Sequence, residues 1–133
     1  MKQTLPVKQK GIRKLFTSFS HAFHGIFYAF SAEQNMFIHV MVMCFVIVCG
    51  FFFQISLLEW LFCLVMFGLV LATELMNTAI ESVVDLITKE YHPLAKIAKD
   101  TSAGAVFVFA LTAVVGGCII FLPKVIHSIV EFI

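Results

Sequence analysis

The chain has 133 residues, room for one domain; 61% of them are apolar, 13% are charged, and the formal net charge is +1. That composition excludes an ordinary soluble domain of this size, and a charge so near zero offers no general hold on nucleic acid. Cys44, Cys49, Cys63 and Cys118 all fall in apolar runs and form no CxxC pair, so neither a disulfide framework nor a zinc site is expected and they read as packing residues.

At the start, Leu15, Phe16, Phe19, Ala22, Phe23, Ile26, Phe27 and Phe30 recur at three- and four-residue steps, with Lys14, Thr17, Ser18, Ser20, His21 and His24 mostly between them. The pattern predicts an amphipathic surface helix over about residues 10–31, its phenylalanines at the acyl boundary and its basic start among headgroups. Ser31-Ala32-Glu33-Gln34-Asn35 offers a cap and a turn. A charge-free run then predicts a membrane span over about residues 36–53, too far into the chain and too poor in small residues afterwards for a signal peptide. His39 in this span reads as a packed or water-lined histidine.

The second apolar run begins at Leu57, carries Glu59 as its one charge, and has Trp60 as an interfacial anchor near its end. No glycine or proline separates it from Glu74-Leu75-Met76-Asn77-Thr78-Ala79-Ile80-Glu81-Ser82-Val83-Val84-Asp85, so one helix over about residues 57–87 leaves the bilayer without a break. His92-Pro93 ends that stretch and opens a third span over about residues 94–122, in which Ser102-Ala103-Gly104-Ala105 reads as a seam for close helix packing. The expected fold is an all-α integral membrane protein with one surface helix and three spans. Lys2, Lys8, Lys10, Arg13, Lys14, Lys89, Lys96 and Lys99 fall on one side and Lys124 alone on the other. The positive-inside rule therefore places the N-terminus and the second loop in the cytoplasm.

At 100° per residue, Glu74, Asn77, Glu81 and Asp85 occupy one face of the second span, within about 80° of one another, and Thr78 borders them. Counted from Leu57, Glu74 lies roughly 26 Å along the helix, close to the inner edge of a bilayer core of about 30 Å. Lys96 and Lys99 can pair with two of these carboxylates, but Glu33 and Asp100 leave acid in excess of the nearby lysines. An oxygen-rich cluster at that depth suits Mg²⁺ and a phosphate from one side and a lipid headgroup from the other, the requirements of phosphoryl transfer. The chain has no GxxxxGK[ST] loop and no HRD or DFG set, so any nucleotide cradle is of another kind.

Glu74-x-x-Asn77-Thr78-Ala79-Ile80-Glu81-x-x-Val84-Asp85, then Glu90-Tyr91-His92 and Ala98-Lys99-Asp100, resemble the signature of the prokaryotic diacylglycerol kinases. This family of three-span homotrimeric lipid kinases includes the undecaprenol kinases, and the resemblance extends over about residues 13–122. It implies Glu74 as catalytic base on a lipid hydroxyl and Glu33 with Glu81 as ligands of Mg²⁺ and its ATP. Asn77, Asp85, Lys99 and Asp100 would complete the site, with Glu90, Tyr91 and His92 near the nucleotide and Lys14 and His21 as further contacts. It also implies a site between subunits in a bacterial cytoplasmic membrane.

There are departures: Lys14 stands where diacylglycerol-specific members carry arginine, His21 where they carry an aromatic, and Gln34 and Phe37 replace arginines of the undecaprenol branch. The stretch from Ala32 to His39 nevertheless resembles that branch more, which favours undecaprenol over diacylglycerol. A small ion-coupled transporter is the main rival, since intramembrane carboxylates also mark ion pathways, but such charges belong near the midplane.

Overall fold

The structure, a computed structural model, describes residues 11–132, so Lys2, Lys8 and Lys10 of the basic start lie outside it. Four helices follow one another: α1 (Ile12–Ala32), α2 (Gln34–Phe52), α3 (Leu57–Ile87) and α4 (Pro93–Phe132). Helix α1 starts after Gly11, whose φ of 75° is open to glycine without a Cβ clash. It keeps Phe16, Phe19, Phe23 and Phe27 exposed for an apolar surrounding.

The turn between α1 and α2 is a single residue. Glu33 adopts an extended conformation (φ −110°, ψ 118°), its N–H still donates to the Ala29 carbonyl at 2.9 Å, and α2 begins at the next residue. The expected cap at Ser31 does not form, because its hydroxyl donates back to the Tyr28 carbonyl at 2.9 Å inside α1.

At the other end of α2, Gln54 takes the left-handed conformation (φ 48°) to turn the chain toward α3. Gly50 makes this corner possible: a Cβ there would lie 2.6 Å from the Trp60 ring. Trp60, expected only as an anchor, thus also packs the corner, with Phe51 at 5.0 Å between ring centroids. Helix α3 opens on a capping box, the Ser56 N–H donating to Glu59 Oε2 (2.6 Å) and the Glu59 N–H to Ser56 Oγ (3.4 Å). The other Glu59 oxygen pairs with Lys124 of α4 at 3.1 Å, so the lone charge of this run is bound on both sides.

Thr88 ends α3, and Pro93 begins α4 at a position where its missing N–H costs nothing. Helix α4 runs past Leu122 and through Pro123 to Phe132, 40 residues in all, with Lys124 held by Glu59 directly after the proline. Helix α3 is the axis of the chain, packing most extensively against α4 and also against α2 and α1. A small core of Ile55, Cys63 and Ile120, flanked by Phe53, Trp60, Phe62 and Phe121, closes the end opposite the acidic residues.

The packing seam is not where the small residues predicted it. A Cβ on Gly104 would meet nothing within 4 Å, and Ala103 and Ala105 are exposed; only Ser102 of that stretch is buried. The close approach of α3 and α4 falls instead at Gly116, where a Cβ would collide with the Phe62 ring. Within the hydrophobic windows of α2, α3 and α4 only 11%, 22% and 11% of residues are buried by the chain itself. All three helices are long and apolar enough to cross a bilayer, and that exposed surface requires lipid or further protein to cover it.

Candidate active site

Helix periodicity puts Glu74, Asn77 and Glu81 on the side of α3 that meets α4 and the start of α2. Glu74 is 1% exposed, the one large side chain so completely enclosed among the described residues. Its Oε1 atom has no hydrogen-bond partner. A buried carboxylate oxygen without a protein partner is a place for a donor supplied by a ligand. Glu74 lines a cavity of about 230 Å³ with Asn35, Ile38, His39, Asn77 and Phe107. His39 and Ala110 also border an apolar groove of about 550 Å³ that passes Met43, Phe67 and Phe121 between α2, α3 and α4.

One turn along, Asn77 (5% exposed) bridges two helices. Its Nδ2 donates to Glu81 Oε1 at 3.1 Å, and its Oδ1 accepts from Ser102 Oγ of α4 at 2.7 Å. Glu33 is the single residue between α1 and α2, two positions before Asn35 of the cavity wall. Asn77 and Glu81 are hydrogen-bonded and Glu74 lies one turn away on the same face of α3, while Glu33 approaches from the α1–α2 bend.

The other candidates divide. Asp85 is paired with Lys99 of α4 at 2.6 Å, one interhelical bridge of the kind that neighbouring lysines allow, whereas Lys96 turns to Asp100 on its own helix. Glu90, Tyr91 and His92 lie exposed on the α3–α4 loop, where Thr88 Oγ1 accepts the Glu90 N–H (3.1 Å) and His92 Nδ1 accepts the Leu94 N–H (3.2 Å). His21 lies across α3 from the cavity, in a groove with Gly25, Ala29, Thr78 and Ser82. Lys14 is exposed near the start of α1, about 28 Å along the helix from Glu33, and the chain does not bring it to the cluster.

Three residues of the site went unrecognised in the sequence. Ser102 was grouped with its small neighbours, although a buried Asn77 needs a polar partner and Ser102 is the hydroxyl one turn beyond Lys99. His39 and Asn35 line the Glu74 cavity, a position to which the step of four between them pointed.

Four helices, three of them long and apolar enough to span a membrane, with an enclosed carboxylate lining a cavity among them, define a small helical membrane protein. Residues 20–121 match the family described as prokaryotic diacylglycerol kinase. Over 113 residues the chain is 46% identical to the undecaprenol kinase of Bacillus subtilis, covering 85% of this chain and 92% of that one. It is 42% identical over 111 residues to a diacylglycerol kinase of Synechocystis, 82% of this chain but 63% of that longer protein. With the diacylglycerol kinase of Haemophilus influenzae it shares 32% identity over 115 residues, 86% and 98% of the two chains. The chain belongs to the prokaryotic diacylglycerol kinase family, a family of membrane lipid kinases.

Proposed function

We propose that the protein transfers the γ-phosphoryl group of ATP to the hydroxyl of undecaprenol at the cytoplasmic face of a bacterial membrane, working as a homotrimer. The observation that carries this reading is the enclosed Glu74, with Oε1 unpartnered, on the wall of a cavity that shares His39 and Ala110 with an apolar groove. A lipid whose chain occupies an apolar groove can present its hydroxyl to such a carboxylate, with water largely excluded.

Glu74 accepts the hydroxyl proton as the lipid oxygen attacks the γ-phosphorus; the bond to the β-phosphate oxygen breaks and ADP leaves. Among the described residues no three His, Cys, Asp or Glu side chains stand close enough to hold a metal unaided. Mg²⁺ does not need such a cage, since one or two carboxylates, water and nucleotide phosphates suffice, and Glu33 and Glu81 are hard oxygen donors of that kind. Bound there with ATP, Mg²⁺ would neutralise phosphate charge. Asn77 orients Glu81, while Lys99 and Asp85 hold α4 against the cytoplasmic end of α3.

Undecaprenol is favoured over diacylglycerol by the Ala32 to His39 stretch and by the 46% identity to an undecaprenol kinase. The groove is lined almost wholly by hydrocarbon, which suits an isoprenoid chain. Purified protein with Mg-ATP and either lipid in the same mixed micelles tests the assignment. The C55 polyprenol should give the larger kcat/KM; a preference for diacylglycerol would transfer the assignment to that lipid, and no labelled lipid at all would end the kinase reading.

A further inference from the structure

Ser102 lies 25 positions from Asn77 in sequence, is 7% exposed, and has one hydroxyl proton facing two acceptors: Asn77 Oδ1 at 2.7 Å and the Lys99 carbonyl at 2.9 Å. The Asn77 amide has two unlike ends. An ionised Glu81 can only accept, so the NH₂ end must face it, and the carbonyl end must then face Ser102. Within this chain Ser102 is what makes that orientation complete, because the carbonyl would otherwise be buried with no donor. We propose that Ser102 is a positioning residue for the metal–nucleotide site: its hydroxyl fixes the rotamer and face of Asn77, and Asn77 in turn holds Glu81 in the orientation that receives a divalent cation.

The inference rests on the reading of Glu81 as a metal ligand. It assigns to α4 a part in the site beyond its Lys99–Asp85 bridge: a hydrogen bond to Asn77, the residue that holds Glu81. Loss of the hydroxyl leaves a buried amide carbonyl unpaired, and loss of an outer partner of this kind lowers metal affinity or activity.

The test uses the full chain in detergent micelles with Ser102→Ala and Ser102→Thr, each first shown to elute as the wild type does and to unfold at a similar temperature. Mn²⁺ is the probe, titrated by electron paramagnetic resonance with a non-hydrolysable ATP analogue present, and steady-state kinetics are measured alongside. Ser102→Ala should weaken Mn²⁺ binding and raise the KM for Mg-ATP about three- to tenfold, with kcat within about twofold, and Ser102→Thr should recover most of the loss. Adding Ser102→Ala to Asn77→Ala should cost little more, since both remove one chain of hydrogen bonds.

Unchanged Mn²⁺ affinity in Ser102→Ala, a failure of threonine to rescue, or a fully additive double variant would each overturn the inference, as would a wild type that binds no Mn²⁺. A wild type that binds Mn²⁺ but phosphorylates no lipid would instead sink the kinase reading, and the Mn²⁺ titration would still decide the role of Ser102.

Discussion

At the scale of single residues, two glutamates about two turns apart on one face of α3 have unlike surroundings: Glu74 is enclosed with an unpartnered oxygen, while Glu81 is partly open and held by Asn77. Their proposed roles separate on that basis. Glu74→Gln preserves shape and removes the base, so kcat should fall by about a hundredfold or more while the KM for Mg-ATP changes little. Glu81→Gln keeps a carbonyl for the Asn77 donor and loses the charge, so KM for Mg-ATP should rise about tenfold or more. Steady-state kinetics on purified variants check both, and near-normal turnover in either removes that carboxylate from the mechanism.

At the scale of elements, the helix ends and the close approaches carry the distinctive interactions of α2, α3 and α4. Ser56→Ala removes one half of the capping box and should destabilise the chain by about 1 kcal/mol, measured by reversible unfolding in mixed detergent. Gly116→Ala should cost more, about 1–3 kcal/mol, because its methyl group meets the Phe62 ring rather than open space. Equal stability of Gly116→Ala and the wild type would show that Phe62 moves aside without penalty.

At the scale of the whole molecule, the helices leave most of their apolar surface uncovered, and the proposed trimer in a bilayer accounts for both sources of cover. By the positive-inside rule, the eight-to-one distribution of basic residues predicts an N-terminus on the inside. In a cysteine-free background, a cysteine at position 2 should react with an impermeant maleimide only after the cytoplasmic face is opened, and one at position 131 from the outside. Reversed labelling would reject the orientation, and a native mass spectrum of the detergent complex that shows any count other than three chains would reject the trimer.

The sequence by itself determined the surface helix, the three apolar spans and the acidic face of α3, because helical phase and hydropathy are local properties of consecutive residues. The order of Glu74, Asn77, Glu81 and Asp85 on one stripe needs only 100° per residue. Which groups meet that stripe was decided by the rotation of one helix about another, a property of packing at places such as Phe62 over Gly116 and Trp60 over Gly50. That rotation turned Ser102 inward and Gly104 outward and matched Lys99 rather than Lys96 to Asp85. The single extended residue at Glu33 had the same character: the bend there goes with α1 folding back against α3, a contact between distant segments that no local period records.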